Sequence, residues 1–301
     1  MGALIEVNTD GLAKLAETVG GWLGWNARAI EHNAEAEAYA AVRKIDAENA
    51  AALIKLQGED QLADYILARE KRKMLNAQNV VEQAQQHFIE EEQVSKELVN
   101  QDWVNRFFTI VEDVSDIEMQ QLWARILAGE VKKPKSYSLR TLEILRNMTK
   151  EEADLFVKAT SYMLDNDSII VEPNYSLSLE EMLMLSDIGL INNESLTVTY
   201  PIKKQSSLSY IKVDEHFGVG IYNPDREVIR LEFNIKSLTI AGRELVKLID
   251  RTTSDSVYQC IVEKCKNRQC KAVVKSPITR CLPSGQCLYS KQGELLYKQE
   301  E

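Results

Sequence analysis

The chain has 301 residues, of which 45% are hydrophobic and 27% charged, the balance of a folded protein of about two domains and not of a disordered chain. Its formal net charge of −10 at pH 7 argues against a protein that coats nucleic acid, because phosphate binding needs a positive surface. The first residues lack a basic, apolar leader, and no stretch reaches the roughly 20 apolar residues of a spanning helix, so the sequence predicts a cytoplasmic protein.

Residues 10–25 place apolar side chains at the spacing of an amphipathic helix, which four glycines interrupt. Glycine beside tryptophan suits either the close packing of helices or an anchor at a membrane surface. We therefore expect self-association through this segment, with peripheral contact at the inner membrane as the alternative. The residues that carry this prediction are Leu12, Leu15, Val19, Trp22 and Trp25.

Residues 28–100 contain no proline and are rich in Ala, Glu, Gln, Lys and Leu, the strong helix formers. A continuous helix of this length would extend on the order of 100 Å. Gly58 is the only glycine in the stretch and marks a turn or kink. The helices either fold back at Gly58 as a hairpin or project as a coiled-coil arm for oligomerisation.

Short helices with recognisable caps follow over residues 102–156. Capping boxes at Ser115–Glu118 and Thr149–Glu152 open two of them, and Ser138 is expected to cap a third. Gly129 is expected to end the helix that the first box opens. These features predict a bundle of the helix-turn-helix type.

A third capping box at Ser178–Glu181 opens a helix that Gly189 should end. Four strand patterns and a closing amphipathic helix come next, in the order of a winged-helix-like unit. The strand patterns cover residues 195–200, 207–213, 217–222 and 227–235, and the closing helix covers 238–249.

Together these patterns predict a mainly α protein with a smaller α+β part. We expect long N-terminal helices or a coiled coil over residues 1–100. A central helical bundle and a winged-helix-like C-terminal module should occupy residues 101–250. Residues 251–301 are predicted to form a basic, Cys-rich tail.

All five cysteines lie in this tail, separated by four, four, ten and five residues. Zinc sites prefer two to four residues within each ligand pair, so the spacing fits a metal site loosely. Four thiolates on a structural zinc, free thiols in a partly ordered tail, and disulfides are three alternatives; apart from zinc, no cofactor is expected. The candidate ligands are Cys260, Cys265, Cys270, Cys281 and Cys287.

Basic residues alternate with the cysteines and could contact phosphates in a nucleic-acid complex. The alternative is a solvated tail that neutralises an acidic body. The candidate nucleic-acid-binding residues are Lys264, Lys266, Arg268, Lys271 and Lys275.

Motifs of enzyme active sites are missing from the sequence: it contains no GxxxxGK[ST] loop, no HExxH and no GxSxG. Asp225 and Glu232 resemble part of a metal-dependent nuclease site, but Asn234 stands where such a site needs lysine. Arg125 and Glu130 are better explained as an ion pair or a helix-end contact. No catalytic residue is therefore assigned, and a non-enzymatic protein is favoured.

The most recognisable stretch lies at residues 119–156. The helix Trp123–Glu130, the segment Ser138–Leu142 and the helices from Ile144 to Phe156 resemble a bacterial family known only as domain of unknown function 2806. The resemblance extends over residues 10–250 and implies no catalytic residue. The same helices are distantly similar to the abortive-infection alpha proteins of phage defence.

The resemblance implies an anti-phage defence component of the abortive-infection type that responds to a phage or host protein. We expect it to act as a homo-oligomer, with contact at a membrane surface as a further prediction. The alternative is a nucleic-acid-binding regulator that uses the winged-helix-like module and the basic tail.

Overall fold

The computed structural model describes residues 8–23, 44–52, 54–55, 60–88, 93–165, 167–175, 177–204, 207–225, 228–282 and 286–299. The chain divides into two compact units, Met1–Arg146 and Asn147–Glu301, here called the first and second units. Within the described ranges, no helix has both the length and the apolar content needed to cross a membrane.

The first unit is helical. Its helices are α1 (Thr9–Leu23), α2 (Asp60–Gln85), α3 (Gln101–Val111), α4 (Ile117–Lys132) and α5 (Leu139–Asn147), and residues 44–52 and 54–55 are also helical. Aromatic rings on α3 and α4 form its centre. The ring centroid of Phe107 lies 5.0 Å from that of Trp103 and 5.6 Å from that of Trp123, and all three side chains are buried. Rings in such stacked and edge-to-face pairs stabilise a core beyond their buried area.

Residues 54–55 lie close to the start of α2. The side chains of Lys55 and Asp64 form an ion pair with an Nζ–Oδ1 distance of 3.0 Å, and Ala51 and Ala63 are buried. In one continuous helix, Lys55 and Asp64 would lie about 13.5 Å apart along the axis. Gly58 lies outside the described residues, so the fold-back at that glycine stays a prediction.

Two of the predicted helix ends in the first unit are wrong. The N-cap of α4 is Asp116, whose carboxylate accepts from the backbone N–H of Met119 at 2.9 Å, and not Ser115. The same helix continues through Gly129 to Lys132. At Gly129 an added Cβ would lie 2.9 Å from the ring of Tyr137, so the glycine permits close packing and does not end the helix.

The second unit mixes helices and strands. Its helices are α6 (Lys150–Thr160), α7 (Leu179–Ile188), α8 (Ile240–Leu245) and α9 (Asp255–Asn267), with a 3-10 turn at Val246–Leu248. Its strands are β1 (Met163–Leu164), β2 (Ser168–Ile170), β3 (Ile191–Lys203), β4 (Ser209–Lys212), β5 (Phe217–Tyr222), β6 (Val228–Leu238), β7 (Ala272–Cys281), β8 (Cys287–Tyr289) and β9 (Glu294–Lys298).

The strands form two antiparallel sheets. One has the order β1-β2-β6-β3, and the other has the order β4-β5-β7-β8 with β9 also paired to β7. Inward side chains of both sheets meet α9 in one core, in which Phe233, Val219 and Ile261 are fully buried. This shared core explains why the segment after residue 251 folds with the strands that precede it.

The predicted fold class is wrong. About half of the residues that the structure describes are helical and nearly a quarter are in strands, so the fold is α+β and not mainly α. The strands expected to form one winged-helix-like ribbon belong to different sheets, since β3 pairs with β6 and β4 pairs with β5. The alternation of apolar and polar residues predicted these strands correctly, but it does not show which strands pair.

Candidate interaction surface

Helix α7 is apolar on all sides but is largely exposed. Its hydroxyl cap Ser178 and the carboxylate of Glu181 form a capping box, and Gly189 ends the helix with a φ of 88°, both as predicted. Six of its ten residues are apolar, yet only Leu185 is fully buried. A helix with apolar residues all round is normally enclosed by protein on all sides. The exposed outer side of α7 therefore has the apolar composition of a surface that another protein segment covers.

The outer side of α7 combines three apolar side chains with two acids. Leu179, Leu183 and Met184 are 68%, 48% and 44% exposed, and Glu180 and Asp187 are also exposed. At 100° per residue, these five positions fall within about 140° of the helix circumference. We call these five residues the α7 face.

Helix α2 carries a similar surface of opposite charge. Its exposed apolar residues Leu62, Tyr65 and Leu75 lie within about 140° of the circumference, together with Arg69 and Arg72. Within the helix, Arg69 bonds to the neighbouring Glu70, with an Nη2–Oε1 distance of 3.2 Å. Exposed pairs of this kind contribute little, so the guanidinium remains available to a stronger partner. We call Leu62, Tyr65, Arg69, Arg72 and Leu75 the α2 face.

An ion pair joins α7 to α6 of the same unit. Lys158 of α6 donates to Glu181, which lowers the pKa of that carboxyl and raises the pKa of the lysine. Glu181 is thus engaged on the inner side of α7, whereas Glu180 and Asp187 face outward. The charge that the α7 face presents to a partner is therefore negative.

A cleft of about 430 Å³ in the second unit is a candidate for a small-molecule site. Its wall includes Arg251, whose guanidinium donates to the carbonyl oxygens of Asp165 at 2.7 Å and Val213 at 3.4 Å. Burial lowers the pKa of Arg251 and raises the pKa of the Asp165 carboxyl. Asp214 is also buried in this wall and accepts from the backbone N–H of His216 at 2.8 Å.

Two of the charged groups in this cleft, Asp214 and Arg251, are engaged in holding the fold. The carboxylate of Asp214 also accepts from the backbone N–H of Phe217 at 2.7 Å and from the hydroxyl of Thr253. Its described lining contains no serine, threonine, cysteine or tyrosine, so it offers no side-chain hydroxyl or thiol as a nucleophile. His216 has no such group beside it to activate. The charged lining of the cleft suits the binding of a charged small molecule.

The five cysteines lie in α9, in β7 and β8, and in the connection between α9 and β7. Cys281 and Cys287 form a disulfide between β7 and β8, and the other three cysteines are free and buried. Burial raises the pKa of the Cys260 thiol to about 12. The pKa of Cys265 is raised by its hydrogen bond with Cys270 and by burial.

The described residues contain no group of three or more His, Cys, Asp or Glu side chains placed to hold a metal. Structural zinc in this segment stays a prediction.

The five basic candidates for nucleic-acid binding are spread over α9 and β7 and are partly engaged. Lys264 forms an ion pair with Glu172 at 2.9 Å, and Lys271 lies 3.5 Å from Asp225. The ammonium groups of Lys266 and Lys275 lie over tyrosine rings, and Arg268 is the C-cap of α9. These contacts reduce the charge available to phosphate, so the structure gives the nucleic-acid alternative no specific support.

The N-terminal candidates lie inside the first unit. Leu15 and Val19 are fully buried, and Leu12 is half-buried. Trp22 is part of α1, and Trp25 lies outside the described residues. The buried positions explain the apolar spacing of this helix through packing within the unit. Contact with a membrane or a second copy through Leu15 or Val19 would require these two side chains to leave the core of the first unit.

Glu130 has a structural role, as its sequence context indicated. Its side chain is 2% exposed, and its two oxygens accept from the backbone N–H groups of Lys135 at 2.6 Å and Tyr137 at 2.9 Å. It therefore holds the loop after α4. The indole N–H of Trp103 donates to the carbonyl of Tyr137 at 2.7 Å, which joins that loop to the aromatic core.

Sequence reasoning missed the α7 and α2 faces. The signal for the first was present, since six apolar residues among ten exceed what one buried stripe requires. The signal for the second was weaker, because Leu62 and Leu75 stand among charged residues that suit any solvated helix.

Comparison with known proteins gives one match. A family model described as a protein of unknown function, DUF2806, matches residues 63–169. The matched region runs from α2 to β2 and is shorter than the resemblance expected from the sequence. No curated protein and no solved structure matches the chain. The similarity to abortive-infection alpha proteins therefore stays a prediction.

Proposed function

We propose that this chain, whose residues 63–169 match the DUF2806 family model, is a non-enzymatic protein that works by self-association through its α7 face. The observation that carries the proposal is the exposure of Leu179, Leu183 and Met184 on a helix that is apolar all round. Surfaces of this composition commonly mark contact sites between proteins. Methionine favours such sites because its flexible thioether adapts to a partner.

The free energy available from covering the α7 face is modest but sufficient for a reversible contact. Fully burying a large apolar side chain contributes about 1.5–3 kcal/mol, and these side chains are about half exposed, so each adds about 1 kcal/mol. A contact made twice in a symmetric dimer doubles this contribution. We therefore expect a reversible assembly whose mass depends on concentration.

A non-enzymatic role is supported by the chemistry of the described residues. Cys260 and Cys265 are buried and their thiol pKa values are raised, so these two residues do not supply a thiolate nucleophile at neutral pH. In the cleft of the second unit, the side chains of Arg251 and Asp214 are engaged in hydrogen bonds to backbone groups.

The proposed setting is phage defence of the abortive-infection type, with a phage or host protein as trigger. Sequence resemblance alone supports it. Bacteria that carry the wild-type gene are expected to yield fewer phage plaques than bacteria that carry the Leu183→Glu variant. Equal plaque numbers across a panel of phages would remove this setting and leave self-association to be judged by itself.

Light scattering on a size-exclusion column tests self-association directly. Leu183→Glu places a charge at the centre of the α7 face and is expected to reduce the mass to that of one chain, 34.2 kDa. Leu288→Glu is the matched control, because Leu288 is also 48% exposed but lies on β8. The control is expected to keep the wild-type mass.

Circular dichroism melting of both variants shows whether each remains folded. A folded Leu183→Glu variant with the wild-type mass would contradict the proposal, as would a wild-type protein that stays at the mass of one chain at every concentration.

A further inference from the structure

Given the self-association proposed above, on which this inference rests, we infer that the α7 face binds the α2 face of a second copy of this chain. Both faces combine three exposed apolar side chains with two like charges, and the charges are opposite in sign. The two faces also occupy similar arcs of about 140° on their helices.

Charge excludes the simpler pairing of each helix with its own copy. Two α7 faces in contact would bring Glu180 and Asp187 of both copies together, and two α2 faces would oppose Arg69 and Arg72. Like charges that meet at an interface cost several kcal/mol, whereas complementary charges fix the register of the contact. Pairing α2 with α7 is the arrangement that joins acids to arginines.

Arginine suits this role better than lysine would. Its planar guanidinium forms two parallel hydrogen bonds with a carboxylate, and its surface packs on apolar side chains. Arg69 and Arg72 lie one turn apart, between Tyr65 and Leu75, so an acid that reaches either of them is flanked by apolar contacts. Methionine and leucine on the α7 face provide the apolar side of the same contact.

Reciprocity makes the contact strong enough for a dimer. In a two-fold dimer, α2 of each copy binds α7 of the other, so the contact occurs twice. Stable interfaces bury roughly 1,200–2,000 Å² in total, more than two short helices cover in one crossing. Two crossings bring the buried area toward this range.

Charge exchange provides the test. One variant carries Arg69→Glu and Arg72→Glu, and a second carries Glu180→Arg and Asp187→Arg. Each is expected to dissociate, with a dissociation constant raised at least about tenfold. Mixing the two variants in equal amounts is expected to restore the dimer, because both crossings in the mixed dimer again join opposite charges. A chain with all four substitutions is expected to form a dimer with itself.

A matched control exchanges charges elsewhere in the first unit. Glu118 and Arg140 are exposed and lie outside both faces, so Glu118→Arg with Arg140→Glu is expected to leave the mass unchanged. Analytical ultracentrifugation of each variant and of the mixture gives the dissociation constants. The restored mixed dimer should weaken as salt is raised, because its rescue depends on exposed charges.

The outcomes separate this inference from the self-association on which it rests. If Leu183→Glu dissociates but the α2 variant keeps the wild-type mass, self-association stands and the inferred partner is overturned. If both charge variants dissociate but their mixture does not recover, the two faces belong to separate contacts and the inference is also overturned. A crosslink between α2 and α7 of the same chain within a wild-type monomer overturns both.

Discussion

Substitution of Glu130 is expected to destabilise the first unit far more than substitution of an exposed glutamate would. The carboxylate is 2% exposed and accepts from two backbone N–H groups, those of Lys135 and Tyr137. Through Tyr137 it also positions the carbonyl that binds the indole of Trp103. Removing the side chain therefore releases the loop after α4 and weakens its contact with the aromatic core.

The magnitude follows from what each N–H group loses. The N–H of Tyr137 is buried and loses its partner in Glu130→Ala, which costs about 2 kcal/mol. The N–H of Lys135 is partly exposed and can bond to water, so its loss costs about 1 kcal/mol. Glu130→Ala should thus lower the free energy of unfolding by about 3 kcal/mol. Glu130→Gln keeps one acceptor oxygen and should cost about half as much.

Tryptophan fluorescence in urea measures this change in the relevant unit, because all four tryptophans precede residue 147. Glu118→Gln on the same helix is the control, since Glu118 is exposed and contributes less than about 1 kcal/mol through the helix dipole. The expected order of stability is wild type and control, then Glu130→Gln, then Glu130→Ala. If Glu130→Ala unfolds within 1 kcal/mol of the control, the carboxylate does not hold the loop as described.

Three further predictions concern packing and the cysteines. Gly129→Ala should lower the free energy of unfolding by about 1 kcal/mol, and with it the melting temperature, because the added methyl would lie 2.9 Å from the Tyr137 ring. A higher melting temperature would contradict this packing. Thiol titration of the denatured protein should find three reactive groups without reductant and five after reduction, and five without reductant would show that the disulfide is absent. Because the pKa of Cys260 is raised from 9.0 to about 12, the unfolded chain loses this proton first as pH rises. The contribution of this thiol to stability is therefore fully present below pH 9 and decreases towards pH 12, by at most about 1.4 kcal/mol per pH unit. Urea unfolding between these pH values should show a smaller loss of stability for Cys260→Ala than for the wild type. Equal losses in the two proteins would contradict the raised pKa of Cys260.

Local signals in the sequence predicted most helix starts correctly. The capping boxes at Thr149 and Ser178 are present, and Ser138 accepts from the backbone N–H of Thr141 at 3.3 Å. Such caps involve residues three positions apart, so the sequence shows them directly. The prediction at Gly129 was wrong because the reason for that glycine is a ring eight residues later, and only the packed loop reveals it.

Pairing of the strands could not be predicted in the same way. Strand β5 covers Phe217–Tyr222 as expected, but its partners are β4 and a strand of the Cys-rich segment, β7. The sequence did carry a signal for α9, since Ser254 caps it and Val257, Ile261 and Cys265 recur at helical spacing. The cysteines and basic residues of that segment drew attention to metal and nucleic-acid binding, although most of its apolar residues belong to the core.

The candidate surface was harder to predict than the fold, for a physical reason. Apolar spacing in a sequence identifies side chains that are buried by packing. It does not show whether they pack against the same chain or against a second copy. In α1 the spacing reflects packing within the unit, because Leu15 and Val19 are buried. In α7 similar residues remain exposed, and the structure was needed to tell the two cases apart.

The concentration dependence of the mass of the wild-type protein tests the central claim most directly. Sedimentation velocity across the micromolar range is expected to show a reversible shift from the 34.2 kDa chain towards a dimer. In the same experiment, Leu183→Glu is expected to remain at the lower mass. A wild-type protein that sediments as a single 34.2 kDa species throughout the range would contradict self-association through the α7 face.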